Sequence, residues 1–169
     1  KLCAEYIHAI SRRIKWAIAG RSADKLSTVQ EGLSPEIEII IADGDDDGAL
    51  KAMAARAKVI LSTAGPFHRY GSKLGAACVE KTTPYIDITG ENFWVKEMIE
   101  KHHEAAAAKG VRIIPSCGFD SIPSDLGSFF GIRKLGAPVK RVESFHSFKG
   151  GASGGTLETI FSMGDLDLK

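Results

Sequence analysis

Gly20-Arg21-Ser22 closes an apolar run, Lys15–Ala19, and opens a helix-patterned stretch, Ala23–Gln30. A guanidinium is a planar fork of donors that matches a phosphate two bonds at a time, and a serine hydroxyl beside it can add another. Where the second strand of a dinucleotide-binding sheet ends, an acidic residue accepts from the ribose 2′-hydroxyl, whereas an arginine meets a 2′-phosphate. Arg21 and Ser22 therefore point to a phosphorylated ribose, provided the helix before the run is the first crossover helix of such a sheet. A plain surface arginine after a strand has the same residue types, so the remaining strand ends must decide.

They carry the same texture. Asp43 follows the next apolar run, where a side chain can reach an adenine edge. Ser62-Thr63-Ala64-Gly65-Pro66-Phe67 ends a third, and Gly65, lacking a Cβ, lets the backbone approach a ligand. Ile88-Thr89-Gly90-Glu91 and Cys117-Gly118-Phe119-Asp120 end two more. Small and polar residues thus gather at the carboxyl ends of successive strands, where open α/β sheets bind ligands. Simple strand-to-helix turns explain one or two of these sites, but not the set. For a reaction that adds a hydride and a proton, Asp120, Ser121 and Tyr70 are the groups to test as proton donor or oxyanion stabiliser. Asp120 could equally close its loop as a hydrogen-bond acceptor, and Tyr70 could pack beneath the glycine turn. His68, beside Arg69 in the same loop, reads as solvated.

Other candidates fail on spacing. Asp43-Gly44-Asp45-Asp46-Asp47-Gly48 opens like a calcium loop, but position twelve is Ala54 where a bidentate Glu is required. His102-His103-Glu104 is no HExxH zinc site and reads as a solvated helix face. The GGASGGT stretch lacks a Lys before Thr156, which excludes a Walker loop and leaves a flexible turn. Cys117 reads as a small loop filler, since no base is assigned to it. No metal site is expected.

The elements that must position these residues follow from periodicity. Short apolar runs at Lys15–Ala19, Glu36–Ile41, Lys58–Ser62, Pro84–Ile88 and Val111–Ile114 alternate with helix patterns at Ala23–Gln30, Asp46–Ala57, Gly71–Lys81 and Asn92–Lys109. In the last of these Asn92 can cap, Phe93, Met98, Ile99 and His102 share a face, and Gly110 can terminate. Strands apolar throughout and separated by single helices predict a doubly wound parallel α/β sheet. Beyond Val111–Ile114 a helix is expected from Pro123 to about Lys134. A period-two strand follows at Val139–Phe148, then another helix start. The chain is expected to leave a first domain, residues 1–135, and to begin a second, mixed α/β domain over residues 136–169.

The chain opens KLCAEYIHAI, whose spacing predicts a helix entered part-way, and it reads as a fragment whose first strand and glycine turn would precede Lys1. No G-x-G-x-x-G occurs in its 169 residues, and the net charge of +1 gives no bulk attraction to nucleic acid or a membrane surface. No apolar run is long enough to span a bilayer. Three widely spaced cysteines suggest reduced thiols in an intracellular protein.

Together "WAIAGRSADKL", "ILSTAGPFHRYG", "YIDITGE", "CGFDSIPSDLG" and "GGTLETI" resemble the saccharopine dehydrogenase-like oxidoreductases, including the trans-acting enoyl reductases. The departure is the absent glycine-rich loop, which would supply the pyrophosphate cradle. The resemblance implies a Rossmann domain for NADP(H) followed by a substrate domain. It places Gly20, Arg21 and Ser22 at the adenosine phosphate, Asp43 near adenine, and Ala64, Gly65 and Pro66 toward the nicotinamide half. Cys117 to Ser121 would face the cleft between domains. It implies reduction of an enoyl or related lipid-type substrate, small-molecule or lipid-linked, in a cytoplasmic or membrane- and lipid-associated setting; any membrane association would come from regions outside the chain. The alternative is a non-enzymatic NADP-binding adaptor at a membrane or lipid surface.

Overall fold

The computed structural model describes residues 1–10, 14–147, 149–151 and 154–164. Helices and strands alternate: α1 Leu2–Ile10, β1 Ala17–Gly20, α2 Ala23–Glu31, β2 Glu38–Ile41, α3 Asp47–Arg56, β3 Ile60–Ser62, α4 Phe67–Lys81, β4 Tyr85–Asp87, α5 Asn92–Ala108, β5 Ile113–Ile114, α6 Ile122–Leu135 and α7 Gly154–Gly164. All ladders are parallel, as single-helix crossovers require. β1 pairs β2 with Ala17 opposite Glu38, and β4 lies between β3 and β5 with Tyr85 opposite Ile60 and Ile113.

The pairing divides into β2-β1 and β3-β4-β5. A doubly wound sheet runs 3-2-1-4-5-6, so the break between β1 and β3 falls at the place of the first strand. The expected parallel α/β sheet is therefore present on both sides of that place, and the facing edges of β1 and β3 carry no ladder partner among the described residues.

The core lies on the sheet face covered by α3, α4 and α5. Leu50, Met53, Phe67, Leu74, Cys78, Tyr85, Trp94 and Met98 form one buried cluster. Gly71 and Gly75 let α5 come close to α4: a Cβ at Gly71 would stand 2.6 Å from Trp94 Cζ2. Gly110 takes the left-handed φ of 66° just past α5, as its position predicted.

Four expectations are corrected. α4 begins at Phe67, four residues before Gly71, because its first amides find a carboxylate partner described below. The N-cap of α5 is Glu91 and not Asn92. Its buried face is Trp94, Met98 and Ala106, while Ile99 is exposed. Residues 139–147 form no strand, and Phe148 lies outside the described residues. Alternation alone does not make a strand; without a ladder partner the segment leaves Phe145 93% exposed. No described helix is long and apolar enough to cross a membrane.

Candidate functional site

Within each sheet the strands end on one edge, and the two edges meet. Tyr70 in the first turn of α4 lies 3.9 Å from the position a Cβ would take at Gly44, just past β2. Lys73 on α4 reaches the Asp45 carbonyl at 2.9 Å and the carboxylates of Asp45 and Asp47 at 3.6 and 3.4 Å. The residues singled out at the strand ends therefore form a continuous rim.

On its β1 side, the Gly20 carbonyl accepts from Ala42 N–H at 3.0 Å, extending the β1–β2 ladder by one bond. Arg21 is exposed and has no ion pair or hydrogen bond among the described residues. Ser22 is the N-cap of α2, its hydroxyl oxygen accepting from Lys25 N–H at 3.4 Å, so its own proton is free to donate. An unneutralised guanidinium and a hydroxyl at a helix N-terminus fit a phosphate. Asp43 is exposed, and one carboxylate oxygen closes a turn onto Asp45 N–H at 3.0 Å. The remaining acidic residues of that run are also accounted for. Asp46 caps α3 through Ala49 N–H, and Asp45 and Asp47 flank Lys73. No cluster of metal ligands occurs among the described residues.

At the end of β3, Ala64 is exposed, Gly65 half-buried and Pro66 buried, with a cis peptide between Gly65 and Pro66. A Cβ at Gly65 would press on the Phe67 ring at 3.3 Å and lie 3.8 Å from Thr159 Oγ1 of α7. That close approach is why glycine stands here.

The best-built part of the rim was not foreseen. Glu91, 1% exposed, accepts from Phe67 N–H at 2.7 Å through Oε1 and from His68 N–H at 2.8 Å through Oε2. Its Oε2 also meets His68 Nδ1 at 2.6 Å. One carboxylate thus satisfies the first amides of α4 and fixes an imidazole. The His68 side chain is 12% exposed and packs against Phe93 with ring centroids 5.6 Å apart. The expectation that it is solvated is corrected. The available signal was positional: Glu91 and His68 each follow the ends of adjacent parallel strands, whose loops must abut.

Asp87, fully buried at the end of β4, plays the same role one strand along. Its Oδ1 accepts from Thr89 N–H and Ser116 N–H, both at 3.0 Å, and its carbonyl from Cys117 N–H at 2.8 Å. Among the described residues, Asp87 Oδ2 and the Tyr85 hydroxyl are buried without a hydrogen-bond partner. Burial first, then the Asp87 charge, keep that phenol protonated. Beside them a cavity of about 360 Å³ opens between α5 and β5, lined by Trp94, Met98, His102 and Ile114 among others. His102 is thus half-buried instead of solvated, and that burial lowers its pKa.

Of the proton-transfer candidates, Asp120 stands over the neighbouring loop, its Oδ2 3.0 Å from where a Cβ would be at Gly90. Ser121 is the N-cap of α6 and its side chain makes no cap bond. These two lie beside the Glu91 loop. Tyr70 stands at Gly44, on the Asp43 flank. Cys117 is half-buried, and burial, followed by the Asp87 charge, raises its thiol pKa, the opposite of an activated nucleophile. Iodoacetamide at neutral pH should alkylate Cys117 more slowly in the folded protein than in urea. It should leave Cys78, whose buried thiol is pushed up to about 12, unmodified. Faster labelling of Cys117 in the folded state would overturn its reading as a filler.

Comparison with known proteins bears on this rim. Residues 2–114 match the family model of the saccharopine dehydrogenase NADP binding domain. A trans-acting enoyl reductase of Mycobacterium leprae is 45% identical over 138 residues, covering 80% of this chain and 33% of that protein. The saccharopine dehydrogenase-like oxidoreductase of Mus musculus is 41% identical over 170 residues, covering 92% of this chain and 40% of that protein. The chain therefore spans about two-fifths or less of the length of these curated relatives. Among solved structures, apo histidine-tagged saccharopine dehydrogenase (L-Glu forming) from Saccharomyces cerevisiae superposes with a TM-score of 0.68 at 14% identity. That match covers 80% of this chain and 29% of the yeast one, and shows a shared fold.

Proposed function

Because the chain belongs to the saccharopine dehydrogenase NADP-binding family of oxidoreductases, with NADP(H) as its cofactor, we propose that the protein carrying it is an NADP-dependent reductase of an enoyl or related lipid-type substrate. The observation that carries this reading is Arg21, an exposed cation with no carboxylate partner among the described residues, standing beside the Ser22 cap at the end of β1. Bound NADPH supplies a hydride; the protein binds it, orients it and excludes water. Gly20, Arg21 and Ser22 hold the 2′-phosphate, Asp43 lies by the adenine, and Ala64, Gly65 and Pro66 border the nicotinamide half. Asp120 and Ser121, on the loop after β5, face the reacting end, and Tyr70 closes the opposite flank. The left-handed Gly136, φ 65°, ends α6, and in this reading residues 136–169 are the beginning of a mixed α/β substrate domain. The enoyl substrate is supported by the name of the mycobacterial relative.

Arg21→Asp tests the cofactor end. Loss of a charge-assisted phosphate contact is worth about 1.5–3 kcal/mol, roughly 10- to 150-fold in the Kd for NADPH. The Kd for NADH should change little. Equal weakening of both would remove the 2′-phosphate role. A panel of trans-2-enoyl thioesters and imines, followed by NADPH oxidation, tests the reductase. Tight NADPH binding without turnover on any of them would favour the non-enzymatic adaptor.

A further inference from the structure

We propose that His68, held by Glu91, is the proton donor of this site, and that Glu91 is its positioning residue. The proposal rests on the reductase reading and names the group that completes it. His68 lies in the first turn of α4, directly after the Ala64-Gly65-Pro66 loop, at the carboxyl end of β3. Glu91, acting as acceptor, fixes the proton on Nδ1 at 2.6 Å. The same carboxylate grips the backbone amides of Phe67 and His68 at 2.7 and 2.8 Å, so backbone and ring are anchored to one buried group. Phe93 limits the ring from one side. Nε2 has no hydrogen-bond partner among the described residues, and 12% of the side chain stays open to solvent.

Helix capping needs only the two backbone amides. It does not require an imidazole on the same carboxylate, with its second nitrogen left unbonded at the ligand-binding rim. A fixed Nδ1–H with an unbonded Nε2 is the arrangement that lets an imidazole give or take a proton at one defined atom. In reduction of an enoyl group, the hydride and its electron pair come from the reduced cofactor and go to the β-carbon. The proton that completes the addition leaves Nε2 as its bond to the α-carbon forms. The imidazole becomes neutral, its Nδ1–H stays on Glu91, and solvent returns the proton.

His68→Asn separates this role from a structural one. The Asn amide can reach Glu91 as Nδ1 does, but nothing replaces Nε2. In the whole protein that contains this chain, the variant should keep its Tm and its NADPH affinity. Its kcat on a trans-2-enoyl thioester should fall about 10²- to 10³-fold with KM little changed, and added imidazole should restore part of the loss. A readout independent of turnover is carbethoxylation by diethylpyrocarbonate, followed at His68 by mass spectrometry. NADPH alone should protect His68. Unchanged labelling with saturating NADPH would overturn the placement, and full kcat in His68→Asn would overturn the proton role alone. If the wild type binds NADPH but reduces no enoyl or imine probe, the reductase reading falls, and the proton role with it, even where NADPH protects His68.

Discussion

Glu91→Ala should lower the free energy of unfolding by about 3–5 kcal/mol, the range found when one partner of a buried charged network is removed. The carboxylate is 1% exposed and accepts three hydrogen bonds, two from backbone amides with no alternative acceptor in the first turn of α4. Each buried donor left unsatisfied costs about 1–3 kcal/mol. Against this, removing the carboxylate also removes a desolvated charge, which brings the sum back toward the lower part of the range. Chemical denaturation of wild type and variant measures the difference from the midpoints at a common m-value. A loss below about 1 kcal/mol would mean that the cap is dispensable, because surface substitutions alone reach about half of that. Glu91→Gln should fall between the two, because an amide retains one acceptor but turns an N–H toward the donors it must receive.

How much of this was legible in the chain can be argued from the same residues. Strand ends were readable because apolar runs stop abruptly at glycine, and parallel pairing follows once single helices separate such runs. β2 to β5 fall within the expected runs and are shorter, while β1 starts later than expected and runs on to Gly20, since a ladder extends as far as its neighbour offers amides and carbonyls. Residues 139–147 failed as a strand for the complementary reason: alternation states a preference, and pairing needs a second chain segment. The places of Arg21 and Ser22 were readable, because each is defined by following a strand and preceding a helix. Glu91 and His68 were not, because 23 positions separate them and neither has a local signature. Their contact is made by the adjacency of β3 and β4. Asp87 was missed similarly, as a charged residue inside an apolar strand whose partners, Thr89 and Ser116, lie on two loops.

Trp94→Ala should destabilise the fold by a similar amount, about 3–5 kcal/mol, through the cavity left where the indole now stands. Trp94 is 2% exposed, packs on Phe67 with centroids 5.7 Å apart, and donates its indole N–H to Ser72 Oγ at 2.9 Å. The reverse change tests the same interface. A Cβ at Gly71 would sit 2.6 Å from Trp94 Cζ2 and 3.0 Å from Cη2, and a rigid ring tied at its nitrogen cannot bend away. Gly71→Ala should therefore cost about 1–3 kcal/mol despite alanine's better helix propensity. At Gly75 the added Cβ would be nearer still, 2.3 Å from Met98 Cε, but that atom ends a flexible thioether that can rotate aside. Gly75→Ala should be the milder variant even though its initial overlap is larger. If the two alanine variants rank by distance instead, with Gly75→Ala the worse, then backbone spacing between α4 and α5 governs the interface. In that case the rigidity of the indole is not what sets how closely the two helices pack.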